Sequence, residues 1–191
     1  MRVRFVVVAA MLLGSVLPGA TPGLAQTQTA PRRPDVIYVP TPQAVVDAML
    51  QVANVGKNDV VYDLGCGDGR IPVTAARKFG AQAVCIDIDP QRIKEANENV
   101  ASNKVGHLVT VVEGDLFQQD LSKATVVTLY LLPSLNLRLM PKLMKELKPG
   151  TRVVSHAFDM GDWKPEKELD VDSRKIYFWT IPKAKPGSGE R

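Results

Sequence analysis

Residues 58–70 decide the fold, and they read Asn58-Asp59-Val60-Val61-Tyr62-Asp63-Leu64-Gly65-Cys66-Gly67-Asp68-Gly69-Arg70. A short β-branched and aromatic run ends in an acid, and three glycines spaced two apart lead into a helix-compatible segment. Glycine accepts a positive φ and leaves open the space that a Cβ would fill. We therefore predict a strand, a tight turn and a helix start, with a small ligand against the main chain of Gly65, Gly67 and Gly69.

The spacing of these glycines separates two nucleotide-binding patterns. A dinucleotide-binding turn needs Gly-x-Gly-x-x-Gly, whereas this chain has Asp63 followed by Gly65-x-Gly67-x-Gly69. The pattern Asp-x-Gly-x-Gly-x-Gly resembles the first motif of class I S-adenosylmethionine-dependent methyltransferases. That resemblance implies S-adenosylmethionine as the cofactor and places Asp63 among the cofactor-binding residues.

Apolar patterns on both sides of the turn alternate between strand and helix periods. The predicted strands are residues 59–63, 83–87, 108–113, 125–131, 151–156, 169–171 and 175–180. Helices lie between most of them, and the first helix has Thr41 as its N-cap and Pro42 at N1. Strand–helix–strand crossovers make the linked strands parallel. We predict a Rossmann-like three-layer α/β sandwich, with a mostly parallel seven-stranded sheet and a C-terminal antiparallel hairpin.

Two further acids fall at predicted strand ends, where open α/β sheets bind their ligands. Asp87 follows Gly65 by 22 residues, and a carboxylate there can accept two hydrogen bonds from a ribose diol. Asp115 follows the third strand, and the methyltransferase resemblance implies that it accepts from the adenine amino group. On its own, Asp115 would be read as a solvated turn residue.

A narrower resemblance rests on Tyr38-Val39-Pro40-Thr41-Pro42, on the glycine motif extended to Ile71, and on Leu129-Tyr130-Leu131-Leu132-Pro133. These stretches look like the seven-strand protein lysine methyltransferases, which include mitochondrial enzymes acting on an adenine nucleotide carrier or on a component of ATP synthase. The resemblance implies that Tyr38 and Thr41 lie over the cofactor. It also implies an amine acceptor such as a protein lysine, although this chain lacks those enzymes' mitochondrial membrane segment.

Candidate catalytic residues follow the fourth and fifth strands. We expect Tyr130, with Pro133 and Asn136, to line the acceptor pocket, because an aromatic face can stabilise a cation. Tyr130 as a plain core aromatic is an equally good interpretation. His156 and Asp159 form a His–acid pair at the same edge and could act as base or substrate contacts, while a loop His is more often structural.

Two other functions stay open beside the amine methyltransferase. One is a small-molecule methyltransferase acting on an oxygen, sulfur or metalloid nucleophile. The other is a non-catalytic protein that retains the nucleotide pocket. A serine hydrolase is disfavoured because the chain has no Gly-x-Ser-x-Gly elbow, and two cysteines and two distant histidines do not have metal-ligand spacing.

The N-terminus has the pattern of a secretory signal peptide. Met1-Arg2-Val3-Arg4 supplies positive charge, residues 5–17 are mostly apolar, and Gly23-Leu24-Ala25 fits a small-residue cleavage site. We predict a signal peptide over residues 1–25, a flexible leader over 26–36, a methyltransferase domain over 37–183 and a disordered tail over 184–191. The protein would then be exported, periplasmic or secreted, with no transmembrane segment after cleavage.

The alternative is an uncleaved membrane anchor, but a spanning helix needs roughly 20 apolar residues and this run is shorter. Cleavage would remove Arg2 and Arg4 and lower the formal net charge from +4 by two to +2. That excess is too small to indicate a nucleic-acid partner. The mature chain, 45% apolar over the whole sequence, suits one domain with a sizeable core.

The two cysteines are Cys66 in the glycine turn and Cys85 in the second strand. An oxidising compartment would allow them to pair. Packing is the commoner reason for a buried cysteine, so we expect two structural thiols.

Overall fold

The computed structural model describes residues 38–183. The predicted signal peptide, leader and tail lie outside the described residues, as does Ile37 at the start of the predicted domain. Within the described range, no helix is long and apolar enough to cross a membrane, and no cluster of His, Cys, Asp and Glu could hold a metal ion.

Seven strands and four helices make up the described chain. In chain order they are α1 (Gln43–Val52), β1 (Val60–Leu64), α2 (Arg70–Phe79), β2 (Gln82–Asp87), α3 (Pro90–Ser102), β3 (Val109–Glu113), β4 (Val126–Leu129), α4 (Pro133–Glu146), β5 (Arg152–His156), β6 (Lys167–Val171) and β7 (Arg174–Thr180).

The strands form one sheet in the order β3-β2-β1-β4-β5-β7-β6. The pairs among β1 to β5 are parallel, whereas β7 runs antiparallel to both β5 and β6. The hairpin turn at Asp172 and Ser173 has positive φ at both positions. The predicted sandwich is confirmed, including its C-terminal hairpin. The strand order reverses at β1, whose neighbours are β2 and β4, and this switch point is where such sheets bind ligands.

Two apolar layers cover the two faces of the sheet. One layer joins the buried sides of α1, α2 and α3 to the face that carries Val61, Val126 and Val154. The other packs α4 against the opposite face, with Leu64 and Leu129 at its centre. All four β4 residues are buried, as expected of a strand covered on both sides.

The first helix begins one residue later than predicted. Its N-cap is Pro42, and no side chain caps the helix. The Thr41 hydroxyl, which we expected to cap it, lies 3.2 Å from Nδ1 of His156 instead. The Thr41 side chain therefore contacts a residue that is distant in sequence, and it does not cap the helix as the local sequence predicted.

Candidate functional site

A pocket opens at the carboxyl ends of β1, β2, β3 and β4. With the open solvent at its mouth included, the pocket holds about 1000 Å³ of empty space. Seven of the predicted site residues line it, namely Tyr38, Thr41, Asp63, Gly65, Asp87, Asp115 and Tyr130.

The three glycines of the turn all have positive φ, and they do different work. Gly65 lines the pocket. Gly67 donates its N–H to Oδ2 of Asp87 over 2.8 Å, and a Cβ on Gly67 would overlap the Tyr38 ring. A Cβ on Gly69 would come within 3.1 Å of the Ala96 side chain on α3. Gly69 therefore allows α2 and α3 to pack closely. From the sequence we predicted a different role for it, contact with the ligand.

Asp87 ends β2 with both carboxylate oxygens engaged by backbone. Oδ2 accepts from Gly67 and Oδ1 accepts from the Asp89 N–H over 3.0 Å. Each carboxylate oxygen has a second lone pair, so the group can still accept from a ribose diol. Asp115 is held in the same way, since its Oδ1 accepts from the Phe117 N–H over 3.0 Å.

Asp63 is a buried carboxylate with one oxygen lacking a partner among the described residues. It is 2% exposed, and the Thr128 hydroxyl donates to its Oδ1 over 2.7 Å, while Oδ2 has no hydrogen bond. Burial raises the pKa of Asp63 to about 7; the Thr128 hydrogen bond opposes that rise, and the charges of Asp87 and Asp68 add to it. A cationic ligand would stabilise the ionised carboxylate, and S-adenosylmethionine carries both an ammonium and a sulfonium. The pocket therefore fits that cofactor.

The segment before α1 (residues 38–42), here called the strap, crosses the pocket. The Tyr38 ring is held between Gly67 and the guanidinium of Arg92, which lies 4.6 Å from the ring centroid. The Thr41 carbonyl accepts from Nη1 of Arg70 over 2.9 Å. Arg70 forms an ion pair with Asp68 of the glycine turn. The strap is thus tied directly to the cofactor side of the site.

His156 ends β5 and is 2% exposed. Its ring lies 3.9 Å from the Tyr130 ring, centroid to centroid. Burial, helped by the charge of Arg174, lowers the pKa of His156 to about 4, so the ring is neutral at pH 7. It lies behind Tyr130 and does not line the pocket.

Asp159, the second member of the predicted His–acid pair, is exposed, and its Oδ1 accepts from the Gly161 N–H over 3.0 Å. The described hydrogen bonds therefore give His156 and Asp159 different partners. Chain order suggested the pairing, but the turn after β5 carries Asp159 away from the His156 ring.

The turn after β5 places a second aromatic ring beside Tyr130. Ala157 has φ +66°, a conformation that is unfavourable for a residue with a Cβ, and Phe158 donates its N–H to the His156 carbonyl over 2.9 Å. The Phe158 ring lies 6.2 Å from that of Tyr130, with 21° between their planes. Tyr130 lines the pocket, and with His156 and Phe158 it forms the group of rings here called the aromatic wall.

Asn136 and Pro133 do not line the pocket, contrary to expectation. Asn136 is fully buried, and its Nδ2 donates to the carbonyls of Phe158 and Asp159 over 3.3 and 3.1 Å. Buried amides satisfy such carbonyls readily. Asn136 therefore fixes the turn after β5, and Pro133 is an exposed first residue of α4.

Cys66 and Cys85 form a disulfide, with their Cα atoms 5.3 Å apart. The expectation of two free structural thiols is wrong. Parallel pairing sets Asp63 opposite Cys85, and the Cys66 N–H donates to the Ile86 carbonyl over 3.0 Å. The register of β1 on β2 thus brings the start of the glycine turn against β2, and the bond fastens the turn to the strand that ends in Asp87.

Sequence reasoning assigned no role to several pocket residues, among them Arg70, Arg92 and Phe117. Phe117 lies two positions after Asp115 and receives the Arg138 guanidinium 3.8 Å from its ring centroid. The sequence signal for Phe117 was its position two residues after a candidate adenine contact. Arg70 and Arg92 each stand in the first turn of a helix that follows a strand end, the place where pocket residues concentrate.

Comparison with known proteins bears on the cofactor and on the acceptor. The family model described as the ANTKMT methyltransferase domain matches residues 63–167. A protein-lysine N-methyltransferase of Saccharolobus islandicus is 48% identical over 153 residues, which cover 78% of this chain and 95% of that protein. A lysine N-methyltransferase of Xenopus laevis, named for its action on ATP synthase, is 30% identical, over 68% of this chain and 56% of that protein.

One similar solved structure is described with a different acceptor. It is described as an RNA methyltransferase from Salinibacter ruber in complex with S-adenosyl-L-homocysteine, and it is 52% identical to this chain with a TM-score of 0.77. The match covers 80% of this chain and 100% of that one. The similar proteins are therefore all named as methyltransferases, one of them holds S-adenosyl-L-homocysteine, and they differ on the acceptor.

Proposed function

The chain belongs to the family of the ANTKMT methyltransferase domain and is an S-adenosylmethionine-dependent methyltransferase, and we propose that its acceptor is the ε-amino group of a protein lysine. Two relatives named as lysine methyltransferases support this acceptor. The observation that carries the proposal is the Tyr130 ring in the pocket wall, backed by a buried, neutral His156. An aromatic surface backed by an uncharged ring suits an alkylamine and its methylated product.

The bound cofactor supplies a methyl group on a sulfonium, which is open to in-line attack by an amine. The chain's own residues hold the two reactants and orient them toward each other. We assign Asp87 to the ribose hydroxyls, Asp115 to the adenine and Asp63 to positive charge, with the strap over the cofactor. Fixing both reactants in one pocket is the main source of rate for such a displacement.

The acceptor nitrogen must lose its proton before it can attack. His156 is poorly suited to take that proton, because its pKa is lowered to about 4 and its Nδ1 faces the Thr41 hydroxyl. We propose that the lysine enters as the neutral amine and that His156 positions Tyr130. The rate should then rise steadily with pH toward the lysine's own pKa, without a step near the ordinary pKa of histidine, roughly 6.5.

The test is methylation of a host extract with methyl-labelled cofactor, comparing the wild type with Gly67→Arg. We expect label in protein bands, removed by protease and resistant to ribonuclease, with mono-, di- or trimethyllysine after hydrolysis. Label that ribonuclease removes would assign an RNA acceptor, as the Salinibacter ruber description suggests. Label in small compounds alone would assign the small-molecule alternative, and cofactor binding without transfer would leave a binding protein.

We also propose that the protein is exported and works in an oxidising compartment. The N-terminal pattern of residues 1–25 supports this location. So does the Cys66–Cys85 disulfide, because such bonds persist mainly outside the reducing cytosol. The test is fractionation of the host followed by intact-mass analysis. A cytosolic chain that retains residues 1–25 would contradict the proposal.

A further inference from the structure

Three large apolar side chains stand out from the described surface. Val39, Leu132 and Leu137 are 55%, 45% and 47% exposed. They belong to two segments at the same edge of the sheet, the strap and the beginning of α4, and we call them the apolar rim. Exposed apolar side chains grouped at the mouth of a site commonly mark a contact surface.

The apolar rim adjoins the pocket at Val39. Val39 itself lines the pocket, and Leu132 directly follows Leu131, which also lines it. Leu137 lies five residues further on in α4 and packs beside Gly161, where an added Cβ would lie 2.8 Å from Leu137 Cδ2. The rim thus runs from the cofactor side of the mouth to the turn after β5.

The charges next to the apolar rim are mixed. Asp159 and Asp162 are exposed on the turn that packs against Leu137. Two exposed cations lie there as well. The Arg138 guanidinium lies over the Phe117 ring, and Nζ of Lys164 donates to the Gly161 carbonyl over 3.4 Å. A nucleic-acid strand would need a row of unengaged cations along its path, whereas both of these cations already contact other groups of the chain. Exposed carboxylates beside apolar side chains favour a basic polypeptide with apolar residues.

We propose that the apolar rim binds the polypeptide segment that flanks the acceptor lysine, and that this segment carries apolar side chains within a few residues of the lysine. This inference rests on the proposed lysine acceptor and adds a sequence preference to it. The lysine side chain enters between the strap and the aromatic wall. Its apolar neighbours cover Leu132 and Leu137, and further basic residues of the segment face Asp159 and Asp162.

The experiment measures methyl transfer to two synthetic peptides of equal length and equal net charge, each with one central lysine. One peptide has leucine or valine at the positions on either side of the lysine, and the other has serine and asparagine there. We expect the apolar peptide to have a kcat/KM roughly tenfold higher, from partial burial of two or three aliphatic side chains. The difference should lie in KM.

The double variant Leu132→Ser/Leu137→Ser tests the rim directly. It should lower the kcat/KM of the apolar peptide to that of the polar one, while the polar peptide's kcat/KM and the cofactor Kd stay at wild-type values. Val39 is the one other exposed large apolar side chain among the described residues. The polar peptide has no apolar side chains to place on the rim, and it therefore serves as the matched control.

Equal wild-type rates on the two peptides would overturn the rim proposal and leave the lysine acceptor standing. An equal loss on both peptides in the double variant would do the same. Transfer to neither peptide, with label going to RNA or to small compounds in the extract, would overturn both proposals. The failure of the rim and the failure of the proposed function are therefore distinguishable.

Discussion

The hydroxyl of Thr41 lies 3.2 Å from Nδ1 of His156, across 115 residues of chain. The Thr41 carbonyl accepts from Arg70, which forms an ion pair with Asp68 of the glycine turn. One residue of the strap therefore links the turn that faces the cofactor to the strand that supports the aromatic wall. A change that loosens the strap should therefore also loosen the acceptor side of the pocket, and a change that fixes one should fix the other.

Thr41→Val should weaken cofactor binding and raise the KM of the acceptor. Valine keeps the shape and the backbone carbonyl but removes the hydroxyl, which leaves a buried His156 nitrogen without its partner. Such a loss is worth roughly 1–2 kcal/mol. Calorimetry with S-adenosylhomocysteine and steady-state kinetics measure the two effects. Thr41→Ser keeps the hydroxyl and should behave like the wild type, so an equal defect in both variants would contradict the link.

Asp87→Ala should weaken cofactor binding by roughly 1–3 kcal/mol, through the loss of hydrogen bonds to the ribose. The same change frees the N–H groups of Gly67 and Asp89, which now donate to this carboxylate. Glu113→Ala is the control, because Glu113 ends the neighbouring strand β3, is exposed and does not line the pocket. Unchanged affinity in Asp87→Ala would remove the ribose assignment.

The sequence was sufficient for the features that depend on local spacing. The mostly parallel seven-stranded sheet, the hairpin and the acids at the strand ends follow from apolar periods and from the rule that ligands bind at a switch point. What failed depended on contacts between distant segments. The Thr41 hydroxyl bonds His156, the Cys66 sulfur meets Cys85 because of the strand register, and the Asn136 amide turns toward carbonyls after β5. No local pattern contains these partners.

The ligand-free protein should lose stability as pH rises, because of Asp63. Its folded pKa is about 7 and its ordinary value is 3.8. The folded chain holds a proton in that interval that the unfolded chain has released, so this stabilisation is complete below pH 3.8 and is lost as pH rises through 7.

Asp63→Asn removes the charge and keeps the side-chain oxygen that accepts from Thr128. At a pH of about 8 the ligand-free variant should be roughly 1–3 kcal/mol more stable than the wild type, and it should bind the cofactor more weakly. Urea unfolding at about pH 5 and about pH 8 checks the first effect. A wild-type stability that is equal at the two pH values, with the variant parallel to it, would show that Asp63 is ionised when the ligand is absent.

Reduction of the Cys66–Cys85 disulfide should destabilise the fold by about 3 kcal/mol, the chain-entropy value for a loop of this length. The cysteines are 19 residues apart, and the closed loop contains α2. Guanidinium unfolding with and without reductant measures the loss. The double variant Cys66→Ser/Cys85→Ser should match the reduced wild type and should not respond to reductant. A wild type indifferent to reductant would mean that the two cysteines are unpaired in solution.

Gly67→Ala should weaken cofactor binding while the protein still folds. Gly67 has φ +56°, and an added Cβ would collide with the Tyr38 ring. Relief requires the strap to move, which separates Tyr38 from Arg92 and pulls on the Arg70–Thr41 contact. Gly56→Ala is the matched control, because a Cβ there has no atom within 4 Å and its φ is not in the left-handed region. We expect Gly67→Ala to lower cofactor affinity by at least tenfold, about 1.4 kcal/mol, with Gly56→Ala at the wild-type value. Similar affinity in the two variants would mean that the strap does not depend on the bare main chain of the glycine turn.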